Sequence, residues 1–422
     1  MNRSPRIAIL NAEDRRGGAA RAAYRLHRGL CATGLDSTML VQRKQRVDTT
    51  VDGPAGNTVN NLRAALDRMP TLLYPRRDRS GIFHPGWLPD GVAGRVRDLN
   101  PDIVHLHWIT RGFINVGSLR VFGRPLVWTL HDMWAFTGGC HYDNDCGRYQ
   151  QGCGNCPALG SVDGSDLSRR GWKRKELAYR DLPLTIVSPS HWLGSLASSS
   201  ELLSRFPAHV IPNGIDTGVF HPGLRDRGRS RLGFGPGAKV ILFGAANAAA
   251  DPRKGMHFLE QALRMLAERV KGLSAVIFGA RPPFAPPNLG MPVTYPGVIS
   301  DDGKLSELYA AADIFVAPSM QENLSNTVME ALACGTPCVA FDVGGMADMI
   351  DHLQNGYLAK PADVEDLAMG IGWALEDEPR RLAMSGRARE KCMMQFDAVH
   401  VARRHRVLYE SILADHHAGT KQ

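Results

Sequence analysis

Short apolar runs alternate with amphipathic helical segments along almost the whole of this 422-residue chain. The first strand-length run lies at residues 6–11, a loop with Gly17 and Gly18 follows, and helically spaced apolar residues lead to a second run at 37–41. Units of strand, loop, helix and strand build parallel sheets that helices cover on both faces. The alternation therefore predicts an α/β fold with a doubly wound parallel sheet.

The alternation occurs twice, and the polar, arginine-rich stretch at residues 225–231 separates the two arrays. A chain of this length is too long for a single hydrophobic core. We therefore predict two similar domains, over residues 1–209 and 210–397, and a last helical segment over 398–422 that packs back on the first domain. The strand-length runs are at residues 102–107, 125–130, 184–188, 239–244, 275–279, 292–295, 313–318 and 337–341.

The charge balance is basic, with a formal net charge of +8 and a pI of about 9.1. A basic surface favours anionic partners such as phosphorylated ligands, acidic lipids or nucleic acid, although a merely solvated surface accounts for the charge equally well. The start of the chain has no apolar signal region, and no run approaches the length of a membrane-spanning helix. We therefore expect a cytoplasmic protein.

The most informative stretch covers residues 317–337. A strand ends at Ser319, a polar loop follows, and a helix begins near Thr327 and ends at Gly335, with Pro337 just beyond it. The loop thus follows the carboxyl end of a parallel strand, where open α/β sheets bind their ligands. The N-terminus of the helix offers N–H groups and a positive dipole end, both of which suit a phosphate.

Two glutamates flank this predicted phosphate site. Thr327 and Glu330 have the spacing of a capping box, which would explain Glu330 without any ligand. Glu322 lies in the polar loop and has no such local explanation. An anionic donor molecule would meet N–H groups in the middle and hydroxyl-binding carboxylates on either side.

The two glutamates, with Pro-Ser before them and Glu-Ala-Leu-Ala-Cys-Gly-Thr-Pro after them, resemble the signature of the family 4 retaining glycosyltransferases. The resemblance covers nearly the whole chain and implies the GT-B fold, in which two Rossmann-like domains with parallel sheets face a central cleft. The other matching motifs are Gly17-Gly18, His131-Asp132, the Ile-Pro-Asn-Gly-Ile-Asp run at 211–216, the Asp-Pro-Arg-Lys-Gly run at 251–255, the Val-Gly-Gly run at 343–345 and the Asn-Gly-Tyr-Leu run at 355–358.

The resemblance implies a role for each residue of the signature. Glu322 would contact the hydroxyls of the donor sugar together with the backbone of residues 323–325, and Glu330 would bind the ribose. Lys254 and Arg253 would neutralise the diphosphate leaving group, which can replace a metal ion. No cofactor is then required for catalysis. The full set of donor-binding residues is Gly17, Gly18, Arg253, Lys254, Asn323, Leu324, Ser325, Asn326, Thr327 and Glu330.

The first domain supplies two further features in the resemblance. The Gly17-Gly18 loop would approach the donor phosphates, since glycines permit close backbone contact. His131 would lie near the reacting sugar and hydrogen-bond to it as a neutral imidazole, which makes His131 and Glu322 the two catalytic candidates. One departure stands out: family members usually have an Arg after the glycine that ends the first strand of the second domain, and here Ala245 follows Gly244.

Four of the eight cysteines fall within an insert at residues 140–156. Cys140, Cys146, Cys153 and Cys156 could bind a structural zinc in tetrahedral geometry, but only the last two form a Cys-x-x-Cys pair. His141 is a possible substitute ligand, and free thiols or a redox pair are the alternatives to a metal site. This Cys-rich insert resembles one seen in a subset of these transferases that is associated with bacterial surface polysaccharides.

Three basic clusters are candidates for peripheral contact with an anionic membrane, at residues 76–79, 169–175 and 225–231. Trp172 lies within the second cluster and suits a lipid interface. Such contact would suit an enzyme whose acceptor is a lipid-linked saccharide at the inner face of the membrane. For each cluster taken alone, a solvated charged face is the competing interpretation.

Together these features predict a retaining glycosyltransferase that moves a hexose from a nucleoside-diphosphate sugar to a saccharide or lipid-linked saccharide in polysaccharide biosynthesis. One alternative keeps the fold and changes the reaction, as in a nucleotide-sugar epimerase or a phosphorylase. The other is a non-enzymatic, zinc-dependent nucleic-acid-binding protein, which would bind DNA or RNA in a salt-sensitive way. The Glu322 and Glu330 arrangement favours the transferase, with no nucleic acid as a partner.

Overall fold

The computed structural model describes residues 4–56, 58–235, 237–244, 251–279, 282, 284 and 286–419. Contacts between Cα atoms divide the chain into two compact units. The first unit contains residues 1–213 together with 401–422, and the second contains residues 214–400. The division falls near the predicted boundary at residue 210. In the described ranges, no helix is long and apolar enough to cross a membrane.

The first unit contains a seven-stranded sheet in the described residues, with the strand order β3-β2-β1-β4-β5-β6-β7 and every pair parallel. Its strands are β1 Arg6–Glu13, β2 Asp36–Arg43, β3 Val51–Asp52, β4 Ile103–Leu106, β5 Leu126–Thr129, β6 Leu184–Ser188 and β7 Ala208–Val210. Its helices are α1 Gly18–Ala32, α2 Thr58–Arg68, α3 Val92–Leu99, α4 Leu167–Tyr179 and α5 His191–Ser198, with short 3₁₀ turns at Met69–Leu73, Val116–Phe122, Trp134–Phe136, Arg148–Gln151 and Pro157–Leu159.

Successive residues of each strand point to opposite faces of this sheet, so the unit has a core on either side. In β1, Ala8 and Leu10 pack into one cluster, and Ile7 and Ile9 pack into the other. The last helix, α13 Ala398–Gly419, contributes to the second cluster from residue 401 onward. Its Tyr409 hydroxyl lies 2.7 Å from Nδ1 of the buried His105.

The second unit contains a six-stranded parallel sheet in its described part, with the order β10-β9-β8-β11-β12-β13. Its strands are β8 Lys239–Gly244, β9 Leu273–Phe278, β10 Val293–Gly297, β11 Ile314–Ala317, β12 Cys338–Phe341 and β13 Gly356–Ala359. Its helices are α6 Arg225–Leu232, α7 Met256–Ala267, α8 Asp302–Ala311, α9 Asn326–Ala333, α10 Met346–Met349, α11 Val364–Glu376 and α12 Glu378–Gln395, with 3₁₀ turns at Pro222–Leu224 and Pro252–Lys254.

Each sheet reverses its strand order once, between β1 and β4 in the first unit and between β8 and β11 in the second. Such a switch point leaves a crevice at the carboxyl ends of the strands, where doubly wound sheets bind ligands. Gly17-Gly18, Lys254 and Glu322 lie in the connections that leave β1, β8 and β11. The predicted fold of two Rossmann-like units with parallel sheets is confirmed.

Candidate functional site

The loop after β11 holds Glu322 in a fixed position. Its carboxylate Oε1 pairs with the Lys254 ammonium and lies 3.3 Å from the Ser319 hydroxyl, which donates to it. Only 13% of the Glu322 side chain is exposed, so the charge pair lies partly out of water. This contact joins two motifs 68 residues apart in the sequence at one point of the second unit.

Lys254 is presented by a tight turn at residues 251–255. The Asp251 carboxylate accepts a hydrogen bond from the backbone N–H of Arg253 and pairs with the Arg253 guanidinium at 2.8 Å. Burial raises the pKa of Asp251, but the hydrogen bonds and charge of Arg253 outweigh burial and lower it overall. Gly255 closes the turn at φ +70°, where an added Cβ would lie 1.8 Å from the carbonyl oxygen of Pro318. The turn is thus pressed against the end of β11.

The Val-Gly-Gly motif at 343–345 supports Glu322 from the other side. The Gly345 N–H donates to the Glu322 carbonyl oxygen at 3.1 Å. Gly344 has a φ of +57°, and a Cβ there would lie 1.8 Å from the same oxygen. Only glycine fits so close to the backbone of the Glu322 loop, which explains why the motif has a glycine at position 344.

The helix α9 begins at Asn326, with Ser325 as its N-cap residue and no side-chain hydrogen bond that caps it. The capping-box interpretation of Thr327 and Glu330 is therefore wrong, because Thr327 lies inside the helix and Glu330 lies in its second turn. Glu330 is only 1% exposed. The N-terminus of α9 directly follows the Glu322 loop, as the predicted phosphate site requires.

The structure therefore brings several predicted donor residues together within the second unit, and Lys254 contacts Glu322 directly. Arg253 is held by Asp251. Asn323, Leu324 and Ser325 are all buried between Glu322 and α9. The departure at Ala245 lies outside the described residues.

In the first unit, the Gly17-Gly18 loop forms the N-terminus of α1. Gly17 is the N-cap residue of α1 and has a φ of +91°. No atom lies within 4 Å of the position that a Cβ would occupy there. The first turn of α1 contains no acidic side chain. The loop therefore has the backbone geometry and the open space that close approach of an anion requires.

His131 follows β5 and is held by a second histidine. Its Nε2 lies 2.9 Å from Nδ1 of His107, and the two rings stack with their centroids 5.1 Å apart. Burial lowers the pKa of His131 to about 4, and it also lowers the pKa of His107 well below its usual range. His131 is therefore a neutral imidazole near pH 7, as expected for a group that hydrogen-bonds to a sugar.

The neighbouring Asp132 anchors a network that the sequence did not reveal. Its carboxylate accepts hydrogen bonds from Trp108 Nε1 at 2.9 Å, His141 Nδ1 at 2.6 Å and the Trp134 N–H at 2.9 Å. His84 Nδ1 in turn lies 2.7 Å from His141 Nε2. Burial raises the pKa of Asp132, but His141 and the other donors lower it overall.

Two residues near His131 and Asp132, His107 and Trp108, were missed as functional candidates. The nearby His105 is a core histidine, because its two ring nitrogens contact the hydroxyls of Tyr409 and Thr129. His107 and Trp108 follow β4 at the switch point, and this position is the signal that could have identified them. The sequence offers His141 only as a substitute metal ligand, and its hydrogen bond to Asp132 could be found only from the structure.

A small pocket beside His131 is lined by residues of the loops after β4 and β5. Two polar atoms in its wall, His107 Nε2 and Thr110 Oγ1, have no hydrogen-bond partner in the described part of the chain. Buried polar atoms normally have partners, so these two are suited to hydrogen-bond to a water or a ligand hydroxyl.

The Cys-rich insert lies next to this network. Burial raises the pKa of Cys140 well above its usual range and that of Cys153 to about 12, and nearby cysteines raise both further. Within the described ranges, no group of three or more His, Cys, Asp or Glu side chains is placed to hold a metal ion. The structural zinc at Cys140, Cys146, Cys153 and Cys156 thus stays a prediction, which metal analysis of the purified protein would test.

Two of the three basic clusters are partly buried or ion-paired, while Arg170 and Lys173 of the second cluster are exposed. Trp172 and Lys175 are buried, with 3% and 2% exposure, and the Lys175 ammonium donates to the carbonyl oxygens of Trp134 and Thr137. The suggestion that Trp172 lies at a lipid interface is therefore wrong. The arginines of 225–231 are paired with Asp313 and Glu307. In the cluster at 76–79, Arg76 and Arg79 are exposed, as is Asp78 between them.

Comparison with known proteins agrees with this architecture. A sequence model described as Glycosyltransferase Family 4 matches residues 16–219, and one described as Glycosyl transferases group 1 matches residues 238–377. A D-inositol 3-phosphate glycosyltransferase of Actinosynnema mirum is 31% identical over 68% of this chain and 67% of that protein. Another from Arthrobacter sp. (strain FB24) is 28% identical over 85% of this chain and 82% of that protein.

Solved structures share the fold over almost the full length. Sucrose-phosphate synthase from Thermosynechococcus elongatus has a TM-score of 0.71 at 18% identity, covering 98% of this chain and 100% of that one. HepE of Anabaena in complex with UDP and glucose has a TM-score of 0.66 at 18% identity. The match covers 96% of this chain and 100% of that one.

Fold and relatives together define an enzyme of the GT-B glycosyltransferase class. The chain belongs to glycosyltransferase family 4. This membership favours the transferase over the epimerase and over the nucleic-acid-binding protein that the sequence left as alternatives.

Proposed function

We propose that this glycosyltransferase binds a nucleoside-diphosphate hexose in its second unit and transfers the hexose with retention of configuration at the anomeric carbon. The contact between Lys254 and Glu322, beside the N-terminus of α9, is the observation that supports the proposal most strongly. It places a cation, a carboxylate and the positive end of a helix dipole together at the carboxyl end of β11, at the switch point of the sheet.

The charges suit a departing diphosphate. Glu322 pairs with Lys254 and compensates its charge. When a donor binds, its diphosphate would take over Lys254, and the carboxylate of Glu322 would turn to the sugar hydroxyls. Arg253, held by Asp251, would add a second positive charge near the phosphates. Such electrostatic stabilisation of the leaving group works without a metal ion.

The first unit would then contribute to the acceptor side. His131 is neutral near pH 7 and held by His107, so it would donate or accept a hydrogen bond at the reacting sugar without adding charge. An acceptor hydroxyl would attack on the face from which the diphosphate leaves. A departing phosphate oxygen would accept the acceptor proton.

We assign the acceptor to the saccharides or lipid-linked saccharides of polysaccharide synthesis at the inner face of the membrane. Support comes from the Cys-rich insert, which resembles that of transferases of bacterial surface polysaccharides. Two relatives act, by their names, on inositol phosphate. A phosphorylated small acceptor is therefore the outcome that would replace this assignment.

The reaction is tested by incubating the protein with UDP-, GDP- and ADP-hexoses and candidate acceptors, and following release of the nucleoside diphosphate. Proton NMR of the product reports the anomeric configuration. We expect turnover with one donor class and the same anomeric configuration in donor and product. Inversion would disprove the retaining mechanism, and turnover only with inositol phosphate would replace the saccharide acceptor.

A further inference from the structure

The helix α2 is amphipathic in the reverse of the usual sense. Helices on a protein surface normally bury their apolar residues and expose their polar ones. In α2 and the 3₁₀ turn that follows it, three polar side chains, those of Asn60, Asp67 and Thr71, are buried. The apolar side chains Val59, Leu62, Met69, Leu72 and Leu73 are all at least half exposed.

Hydrogen bonds fix this orientation. The Arg63 guanidinium donates to the carbonyl oxygen of Gly112 at 2.9 Å, and the Gly86 N–H donates to Oδ1 of Asp67 at 3.1 Å. The Trp87 indole N–H donates to the Asp67 carbonyl oxygen at 3.2 Å. The polar face of α2 is therefore attached to the body of the first unit, and the apolar face cannot turn inward.

The inversion is costly if the outer face meets only water. Asp67 is fully buried, burial raises its pKa, and its Oδ2 has no hydrogen-bond partner in the described residues. On the outside, Leu72 and Leu73 are 64% and 82% exposed. Several exposed apolar side chains on one helix and the turn that follows it are typical of a site that meets a non-aqueous partner.

The charge around the apolar face is positive. Residues 58–82 contain five arginines and two aspartates, and Asp67 is buried. Arg68, Arg76 and Arg79 are exposed on the same segment as the apolar residues. Apolar side chains next to arginines suit a bilayer that contains anionic lipids, because the side chains enter the acyl region while the arginines meet the headgroups.

We propose that α2 and the turn Met69–Leu73, with Arg68, Arg76 and Arg79, form a docking surface for an anionic lipid bilayer. A second copy of the chain fits this surface less well, since a two-fold interface would bring the same arginines of both copies together. The docking surface does not depend on which acceptor the enzyme uses. The protein could therefore transfer sugar without binding a bilayer through α2, or bind a bilayer without the proposed transfer.

Vesicle sedimentation of the full-length chain tests the proposal. We expect binding to vesicles of phosphatidylcholine with phosphatidylglycerol, weaker binding to phosphatidylcholine alone, and loss of binding at high salt. Leu72→Gln together with Leu73→Gln should lower the vesicle partition coefficient by about tenfold or more. The matched control is Leu382→Gln together with Met394→Gln, two residues of α12 that are 58% and 64% exposed, and it should bind like the wild type.

A gain of signal gives a second readout. Leu73→Trp should show a blue shift of its fluorescence when anionic vesicles are added, and Leu382→Trp should show none. The proposal is overturned if the paired Leu variants bind vesicles like the wild type. It is equally overturned if those variants change the sedimentation velocity of lipid-free protein, which would assign the surface to a second copy. Binding that ignores phosphatidylglycerol would disprove the role of the arginines.

Discussion

At the scale of single residues, the candidate donor site rests on one lysine and two glutamates. Lys254 contacts Glu322, and Glu330 is buried in the second turn of the adjacent helix α9. The sequence motifs identified these three residues and gave each an expected role. The sequence could not show that Arg253 would be held by the carboxylate two residues before it, because a basic turn leaves side-chain partners open.

We predict that Lys254→Met weakens binding of nucleoside diphosphates by about ten- to a hundredfold, the range of one hydrogen bond to a charged group. Binding of the nucleoside without phosphates should not change, since Lys254 would contact only the diphosphate. Calorimetric titration of both ligands measures the difference. Lys271→Met, at an exposed turn residue of the same unit, is the control. Equal loss for nucleoside and nucleoside diphosphate would contradict the role of Lys254.

At the scale of elements, the sequence predicted most strands and helices around both switch points. The run at 313–318 became β11, and the helix expected near Thr327 became α9, because long apolar runs and strong turn residues determine these elements locally. Residues 45–98 contain scattered proline and glycine, and their sequence indicates only an amphipathic helix at 61–73 that Pro70 breaks. Their structure depends on distant partners, as the contacts of Arg63 with Gly112 and of Arg95 with Asp52 show.

The Val-Gly-Gly element gives a prediction about the Glu322 loop. Gly344→Ala should displace the loop, because its Cβ would lie 1.8 Å from the Glu322 carbonyl oxygen at a positive φ. We expect destabilisation by about 1–3 kcal/mol and a fall in kcat of at least about tenfold. Urea unfolding and steady-state kinetics measure the two effects. Gly386→Ala, on α12 with nothing within 4 Å, should instead stabilise by about 0.5–1 kcal/mol.

The Cys-rich insert gives a second prediction at this scale, because its His141 donates to Asp132, next to His131. His141→Ala should lower kcat by about tenfold or more with little change in KM, since Asp132 loses its shortest hydrogen bond. His141→Asn retains a donor at the same position and should recover part of the activity. His209→Ala, at an exposed residue of β7, should be neutral. An equal loss in His141→Asn and His141→Ala would disprove this positioning role.

At the scale of the whole molecule, buried histidines make stability depend on pH. Burial lowers the pKa of His27, His131 and His405 to about 4 each, and it lowers that of His84, His105 and His107 well below the usual range. These groups stay neutral in the folded chain while the unfolded chain takes up protons below about pH 6.5. Their neutral, folded form is therefore fully favoured above that pH and loses its advantage as the pH falls.

We accordingly predict that the free energy of unfolding falls as the pH drops from about 6.5 toward 4, by about 1.4 kcal/mol per pH unit for each such histidine. Melting temperatures between neutral and mildly acidic pH measure the trend. His27→Gln should lower the slope of the unfolding free energy against pH by the contribution of one proton. His209→Gln should leave that slope unchanged. A melting temperature that stays constant over this window would contradict the protonation argument.

The most direct test of the central claim is a thermal-shift measurement of the purified protein with UDP, GDP and ADP, in the wild type and in Glu330→Gln. The account predicts that one nucleoside diphosphate at saturation raises Tm by about 5 °C or more. The shift should be strongly reduced in Glu330→Gln, whose own Tm without ligand should remain close to that of the wild type. An equal shift in both proteins, or no shift with any nucleotide, would contradict a donor site built on Lys254, Glu322 and Glu330.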